Sequence, residues 1–295
     1  MDDVFSTARP LLFSIAYRML GSASDAEDVL QDAWLRYAAS DRSAIRSPKA
    51  FVTTIVTRLC LDRLKSARTT REEYIGPWLP EPVLTSDVES PATMLQRAES
   101  VTLAFLVLLE QLSPEERAVF LLKDIFEYDH SEVAEMLGIT VENSRQLLHR
   151  AKARLADGRP RLTGTPASRR VVAERFARAF SSGNGAELSA LLAADVEVWS
   201  DGGGKVPAAR RPLFGHDQVL HFLLGLHRSA TVTTDFRDVS LRIEDVNSEP
   251  ALVVRFGDRL ESVFVFSIDG DTVSGIRVVR NPEKLVHIDR RLTVH

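Results

Sequence analysis

The stretch SEVAEMLGITVENSRQLLHRAKARL, residues 131–155, has the pattern of two short helices joined by a tight turn. Val133, Ala134 and Leu137 form the apolar side of the first helix. Gly138 permits the sharp turn, and Thr140 is a favourable N-cap for the second helix. The stretch therefore predicts a helix-turn-helix.

The predicted second helix separates into two faces at about 100° per residue. One face is suited to packing and carries Ser144, Leu147, Leu148, Ala151 and Leu155. The opposite face carries Glu142, Gln146, His149 and Ala153, flanked by Arg145 and Arg150. Amide and charged groups read base edges in the major groove, and cations bind phosphates. A helical hairpin with an ordinary solvent-exposed face is the alternative interpretation.

Two further helices upstream carry opposite charges. The segment DAEDVLQDAWLRY, residues 25–37, places Asp25, Asp28, Asp32 and Leu35 on one face, which suits docking onto a basic protein. An isolated acidic face is also common on helices with no partner. The segment RLCLDRLKSAR, residues 58–68, displays cations suited to a phosphate backbone, namely Arg58, Arg63, Lys65 and Arg68.

The length of 295 residues predicts two or three domains at about 100–200 residues each. A linker with four prolines separates the upstream helices from a second helical segment, and DGRPRLTGTPAS (157–168) separates that segment from the rest. Beyond it, two helices precede VEVWS, and a third precedes the runs TVTTDFRDVSLRI, ALVVRF, ESVFVFSI and TVSGIRVV. Alternation in these runs predicts strands, and the C-terminal part is expected to be α+β with a curved antiparallel sheet.

Composition narrows the class of protein. A formal charge of −4 and a pI of about 6.0 argue against a protein that coats nucleic acid. The single cysteine, Cys60, excludes an intramolecular disulfide and a Cys-based zinc cluster. With no signal-like N-terminus and no long apolar stretch, we expect a cytoplasmic protein that needs no metal and no cofactor.

In order along the chain, these segments resemble the extracytoplasmic-function (ECF) sigma factors of bacterial RNA polymerase. The resemblance implies two all-α sigma domains and, as partners, core RNA polymerase and promoter DNA. It implies that the acidic helix binds the polymerase through Asp25, Asp28, Gln31, Asp32 and Leu35. It also implies that the basic helix approaches the −10 element, and that the helix-turn-helix reads the −35 element through Glu142, Asn143, Arg145, Gln146, His149, Arg150 and Lys152.

Three more motifs, WLPEP (78–82), DGGGK (201–205) and NPEKL (281–285), resemble a subgroup with a fused SnoaL-like domain, a cone-shaped α+β fold. The resemblance implies that this domain regulates the sigma factor in cis, so that no separate anti-sigma factor is required. The expected boundaries are a region 2 domain at 1–71, a linker at 72–92, a region 4 domain at 93–157, a second linker at 158–168 and the SnoaL-like domain at 169–295.

The three motifs also have a physical interpretation. Trp78 and Leu79 are apolar residues in a proline-stiffened linker, and are expected to dock in a groove. Backbone amides of the glycines could hold an anion or a carbonyl, although a simple turn explains them equally well. The regulatory contacts are expected to come from Trp78, Leu79, Pro80, Glu81, Pro82, Asp201, Gly202, Gly203, Gly204, Lys205, Asn281, Pro282, Glu283, Lys284 and Leu285.

Two other functions compete with this hypothesis. SnoaL-like cones include enzymes that use a pocket Asp or His, and the candidates here are Asp201, His216, His221 and His227. The same cone could instead bind a small-molecule ligand without catalysis. A simple repressor would keep the helix-turn-helix but has no need for the acidic and basic upstream helices. We expect no catalytic residues, because the polymerase performs the chemistry.

Overall fold

The computed structural model describes residues 3–41, 43, 45–72, 74–88, 101–156, 163–233 and 239–294, with the backbone alone for residues 3, 67–72, 88, 230–233 and 294. The chain divides into two compact units. The helical unit comprises Met1–Glu73, Ser86–Val101 and Phe105–Pro160, and the sheet unit comprises Tyr74–Thr85, Thr102–Ala104 and Arg161–His295. Most of the first linker therefore belongs to the sheet unit.

The helical unit begins with three helices, α1 (Asp3–Leu20), α2 (Ala23–Ala38) and α3 (Pro48–Glu72). Ser22 caps α2, since its hydroxyl accepts a bond of 3.1 Å from the Asp25 amide. Apolar stripes at helical spacing meet in a core in which several side chains have no exposed surface: Leu12, Ile15, Ala33, Val56 and Cys60.

Five shorter helices follow among the described residues, the first of them within the linker. They are α4 (Thr85–Val88), α5 (Leu103–Leu109), α6 (Pro114–Phe120), α7 (His130–Leu137) and α8 (Val141–Leu155). The last turn of α6 continues into a π-helical turn over Leu121–Ile125. The helix α8 is the predicted second helix of the helix-turn-helix.

In the part of it that the structure describes, the sheet unit places four helices around a mixed sheet. The helices are α9 (Pro166–Ser182), α10 (Gly185–Leu191), α11 (His216–Thr233) and α12 (Pro282–Val294). The strands are β1 (Leu192–Asp201), β2 (Leu213–Phe214), β3 (Val239–Val246), β4 (Glu249–Phe256), β5 (Arg259–Asp269) and β6 (Thr272–Val279). Their spatial order is β2-β1-β6-β5-β4-β3.

Two details of the predicted sheet are wrong. The sheet is not purely antiparallel, because β1 pairs with β6 in parallel, with Val198 opposite Ile276. Residues 231–233, read as the start of a strand, belong to α11. The helical periodicity of the preceding turns outweighs the modest strand preference of three threonine and valine residues.

One face of the sheet packs on α9 and α11 to form the core. Phe176 of α9 contacts Phe266 of β5 with ring centroids 4.7 Å apart, and Val198, Leu223 and Ile276 are fully buried beside them. The opposite face is also covered, since Val263 and Val265 have no exposed surface. Within the described residues, no helix is long and apolar enough to cross a membrane, and no cluster of three or more His, Cys, Asp or Glu could hold a metal ion.

Candidate functional site

The helix-turn-helix forms through local capping. A capping box between Asp129 and Glu132 begins α7, and Gly138 ends it in the left-handed conformation at φ 66°. The Thr140 hydroxyl then accepts a bond of 3.1 Å from the Asn143 amide and begins α8. The two helices pack together in a small apolar core. It contains Val133 and Met136 of α7, Leu147 of α8, and Val119 and Leu122.

The outward face of α8 carries the residues predicted to read bases. Glu142, Arg145, Gln146, His149 and Arg150 are exposed and lie side by side on this face. Asn143 and Lys152 are exposed beside them. The inward face is buried as predicted, with Ser144, Leu147, Ala151 and Leu155. The face therefore offers the amide, imidazole and guanidinium groups that bind base edges and phosphates.

Acidic residues on neighbouring elements bind the cations of α8. Glu116, of which only 3% is exposed, lies 3.3 Å from Arg150 and 2.7 Å from Arg154. Lys152 lies 2.5 Å from Asp124 in the π-helical turn. These two acidic partners, Glu116 and Asp124, were not among the residues predicted from the sequence. The capping box SPEE (113–116) at the start of α6, in which Glu116 pairs with Ser113, is the sequence pattern that could have identified Glu116.

The acidic face of α2 is largely free of its own helix bundle. Asp28, Gln31, Asp32 and Leu35 are exposed, and Leu35 keeps 60% of its surface. The opposite side is buried through Ala26, Val29, Leu30, Ala33 and Tyr37. An acidic surface around one exposed leucine suits a basic protein partner.

The predicted cations of α3 contact groups within the helical unit. Arg63 lies 3.5 Å from the carboxylates of both Asp25 and Asp28, which belong to the predicted polymerase surface. Lys65 pairs with Glu115 at 3.0 Å. Arg58 Nε donates to the backbone carbonyl of Met136 at 2.9 Å. The side chain of Arg68 lies outside the described residues. These internal partners were not predicted from the sequence.

The structure also brings the three motifs of the sheet unit together around Asp201, whose side chain is fully buried. Its carboxylate accepts bonds from Tyr74 Oη at 2.7 Å, from the Leu79 amide at 2.9 Å and from Lys284 Nζ at 2.7 Å. Lys284 Nζ also donates to the Leu79 carbonyl at 2.6 Å. We call these residues, with Trp78 and Asn281, the linker latch.

Aromatic rings enclose the buried ammonium of the latch. Lys284 Nζ lies 4.6 Å from the ring centroid of Tyr74 and 4.4 Å from that of Trp78, within the range of cation–π attraction. Burial and the bond to the Asp201 carboxylate raise the pKa of Tyr74, which stays protonated and donates. Asn281 Nδ2 donates to the Tyr74 hydroxyl at 2.9 Å. Tyr74 precedes WLPEP and carried no signal in the sequence.

Close packing requires the glycines of DGGGK. A Cβ at Gly202 would lie 2.3 Å from the carbonyl oxygen of Val206, and one at Gly203 would lie 2.3 Å from Asn281 Nδ2. Gly203 also has φ 59°, and its amide donates to Asp201 Oδ1 at 3.0 Å. At Gly204, a Cβ would lie 2.9 Å from Ile75. Lys205 pairs at the surface with Glu283.

The rest of the linker continues along the edge of the sheet. Leu79, Pro80, Glu81 and Pro82 are buried, whereas Pro282 and Glu283 are exposed and Leu285 is buried. The Val83 amide donates to Asn247 Oδ1 at 3.1 Å, and Leu84 forms an antiparallel bridge with Val246. The segment 74–85 is therefore attached to the sheet at both of its ends.

Comparison with known proteins identifies the family. The Sigma-70 region 2 family matches residues 4–70 and the Sigma-70 region 4 family matches residues 102–155. The ECF RNA polymerase sigma factor SigJ of Mycobacterium tuberculosis is 41% identical over 224 residues, which are 75% of this chain and 72% of SigJ. The chain belongs to the ECF RNA polymerase sigma factors. Promoter recognition in transcription initiation is thus the function of this sigma factor.

The similarity extends into the C-terminal part of the sigma factor. A probable ECF sigma factor, SigI of the same organism, is 32% identical over 281 residues, covering 94% of this chain and 92% of SigI. The crystal structure of M. tuberculosis SigJ matches with a TM-score of 0.74 at 33% identity, covering 96% of this chain and 97% of that one. The predicted fold class is confirmed: helical sigma domains are followed by a SnoaL-like α+β domain.

The candidate acid–base residues of the sigma factor have different surroundings. Asp201 belongs to the latch. His216 Nε2 lies 3.0 Å from the Ser189 carbonyl, and hydrogen bonds to Asp217 and Ser189 raise its pKa. His221 is exposed on α11, and His227 packs edge-on against Phe180.

Proposed function

We propose that this sigma factor binds core RNA polymerase through the exposed face of α2, and promoter DNA through α3 and α8. In this assignment, Arg58, Arg63, Lys65 and Arg68 approach the −10 element, and the exposed face of α8 reads the −35 element. The exposed acids and Leu35 support the first contact, and the amide and guanidinium groups of α8 support the second. The chain supplies no catalytic group, and it acts in the cytoplasm with the polymerase.

We further propose that the C-terminal domain modulates this activity in cis, through the linker latch. The observation that carries the proposal is the buried Lys284 ammonium, held by Asp201 and by the Leu79 carbonyl at 2.7 and 2.6 Å. Asp201 belongs to DGGGK, Lys284 to NPEKL and Leu79 to WLPEP. The latch therefore binds the segment of chain that joins the two sigma regions.

The length of the linker indicates whether this attachment activates or inhibits the sigma factor. By their numbering, the −10 and −35 elements are centred about 25 base pairs apart, or roughly 85 Å at 3.4 Å per base pair. The 30 or so residues between α3 and α5 could extend to roughly 100 Å at about 3.3 Å each. Attachment of 74–85 to the sheet leaves 18 of these 30 residues, or about 60 Å, so we propose that the latch is inhibitory.

Run-off transcription with purified core enzyme and the full-length chain tests the proposal. Lys284→Met removes the ammonium, and we expect at least a threefold higher transcript yield than for the unaltered chain. Lys205→Met is the matched control, because Lys205 contacts Glu283 at the surface and not the linker, so its yield should stay unchanged. Equal yields from all three chains would disprove modulation by the latch.

Truncation separates the domain from the latch. A chain ending near residue 280 lacks NPEKL but keeps the sheet, and we expect it to transcribe like Lys284→Met. A chain ending near residue 162 lacks the whole domain. If neither chain supports transcription with core enzyme, and neither does the full-length chain, the promoter-recognition assignment fails. A response to the latch in this purified reaction would also show that no separate anti-sigma factor is required.

A further inference from the structure

A buried carboxylate of α6 lies against the cations of α8. Only 3% of Glu116 is exposed, whereas the side chains of its two partners, Arg150 and Arg154, are 57% and 51% exposed. A buried carboxylate is stable only where hydrogen bonds and opposite charges compensate the loss of water. Here the opposite charges come from α8, so one side chain of α6 holds two cations of the predicted DNA-reading helix.

The capping box of α6 fixes the position of the Glu116 carboxylate. Glu116 Oε2 accepts a bond of 3.0 Å from the Ser113 amide, and the Ser113 hydroxyl accepts one of 3.2 Å from the Glu116 amide. Pro114, in the first turn of the helix, further restricts the backbone. The carboxylate is therefore held by its own helix, independently of the arginines that bind to it.

The two arginines use this carboxylate in different ways. Arg154 Nη1 donates to Glu116 Oε2 at 2.7 Å and to the Gln111 carbonyl at 3.4 Å, so this terminal nitrogen is directed at the protein. Arg150 approaches Glu116 Oε1 through Nε, at 3.3 Å. Its Nη1 and Nη2 make no hydrogen bond to any residue that the structure describes. A guanidinium held at Nε keeps its terminal nitrogens for paired acceptors outside the protein.

We propose that Glu116 is a positioning residue for promoter recognition, which orients Arg150 so that its two terminal nitrogens bind a pair of acceptors on the DNA. The inference rests on the proposed contact of α8 with the −35 element. Two acceptor pairs match a guanidinium: the oxygens of one phosphate, and O6 with N7 of a guanine in the major groove. With Glu116 in place, Arg150 is ordered before the DNA binds.

The sign of the effect distinguishes positioning from charge. A carboxylate close to bound DNA repels its phosphates, so by charge alone the removal of Glu116 should strengthen binding. Positioning predicts the opposite result. Without the carboxylate, the flexible side chain of Arg150 has to be immobilised when the DNA binds, and this ordering costs affinity.

Binding of reconstituted holoenzyme to the promoter fragment of the run-off template, followed by fluorescence anisotropy, tests the proposal. Glu116→Gln keeps the capping box, which accepts Gln as well as Glu, but loses the charge that holds Arg150. We expect this variant to bind about threefold more weakly than the unaltered chain. Arg150→Met, which removes the DNA contact itself, should bind about tenfold more weakly.

Glu132→Gln is the matched control. Glu132 has the same place in the capping box of α7 as Glu116 has in that of α6. It is exposed, however, and forms no ion pair with any described residue. The substitution removes the same charge from the same region, and we expect it to leave the affinity for the promoter unweakened.

A double variant shows whether Glu116 acts through Arg150. In an Arg150→Met chain, Glu116→Gln should no longer weaken binding, because no guanidinium is left to orient. The salt dependence of binding then identifies the acceptor. For a phosphate, Arg150→Met lowers the slope of log affinity against log salt by about one and weakens all sequences alike. For a guanine, the loss of affinity is confined to promoters that carry that base pair.

Two results would overturn the positioning role. One is equal or tighter promoter binding by a Glu116→Gln chain that is folded by circular dichroism. The other is the same loss from Glu116→Gln with and without Arg150. If Glu116→Gln does not fold, Arg150→Lys decides, since lysine keeps the charge but has no planar pair of nitrogens to orient. Full affinity of Arg150→Lys would then reject the proposal.

The same measurements separate this inference from the proposed function. A tenfold loss in Arg150→Met, without any loss in Glu116→Gln, would contradict only the positioning by Glu116. Unchanged binding in Arg150→Met would contradict the proposed contact between α8 and the −35 element.

Discussion

The linker latch and the exposed ion pair of Lys65 and Glu115 in the helical unit use cations in different ways. In the latch, Lys284 is 8% exposed and Asp201 has no exposed surface, so water cannot replace either partner. In the helical unit, the side chains of Lys65 and Glu115 are 58% and 42% exposed. A buried pair is costly to break on one side, whereas an exposed pair contributes little and exchanges readily with other ions. The difference suits a latch that needs a specific partner.

We expect the largest change in stability from removing one partner of the buried pair of Asp201 and Lys284. Asp201→Ala leaves the Lys284 ammonium uncompensated, and should lower the free energy of unfolding of the sheet unit by about 3–5 kcal/mol. Urea titration of the full-length chain, followed by tryptophan fluorescence, measures it. Glu283→Ala, which removes only the exposed partner of Lys205, should change it by less than about 0.5 kcal/mol. Similar losses in both variants would contradict the contrast.

The cost of replacing a glycine by alanine should also differ between the two units. Gly203 in the latch and Gly138 in the helix-turn-helix have similar φ angles of 59° and 66°. A Cβ would lie 2.3 Å from Asn281 at Gly203, but would meet nothing within 4 Å at Gly138. Gly138→Ala should therefore cost only the conformational term of about 1–2 kcal/mol. We expect Gly203→Ala to cost about 1–3 kcal/mol more through crowding, measured by the same titration.

The buried carboxyl of Glu249 predicts a pH dependence in the sheet unit. Burial raises its pKa above the ordinary 4.5, against the opposing charge of Arg277. At pH values between 4.5 and the raised pKa, Glu249 holds a proton in the folded chain and releases it in the unfolded chain. The free energy of unfolding therefore falls as pH rises above 4.5. Glu249→Gln should remove this fall, seen as a flatter plot of melting temperature against pH. An unchanged slope would contradict the assignment to Glu249.

We expect the smallest change in stability at the exposed pair of Lys65 and Glu115. A double-mutant cycle of Lys65→Met and Glu115→Gln should give a coupling of about 0.2–1 kcal/mol that decreases as salt screens it. The corresponding cycle of Lys284→Met and Asp201→Asn should give a larger coupling that salt barely changes. Chemical denaturation at two salt concentrations measures both. Equal salt sensitivity would mean that the latch is more open to water than its burial indicates.

Local signals made the helix-turn-helix predictable from the sequence. The turn at Gly138, the cap at Thr140 and the buried positions of α8 depend on residues within one helical hairpin. The latch was predictable only in part. WLPEP, DGGGK and NPEKL stood out as motifs, but Tyr74 has no local signal for its bond to Asp201, which is 127 residues away.

The remaining misses have the same physical origin. The parallel pairing of β1 with β6 joins strands that are far apart in the sequence, and alternation reports burial but not strand direction. Glu116 was readable as a helix cap, but its bonds to Arg150 and Arg154 depend on how α8 packs against α6. Tertiary packing, which local pattern does not encode, decides these contacts.

During synthesis on the ribosome, the latch can form only after both sigma regions have been made. The linker residues emerge before the strand that ends at Asp201, and well before Lys284. Both sigma regions are complete at Leu155, about 130 residues ahead of Lys284, and translation at about 5–20 residues per second leaves roughly 6–25 s between them. During that interval the nascent chain has both sigma regions and an unattached linker. Each newly made molecule thus passes through an unlatched period before Lys284 can close the latch.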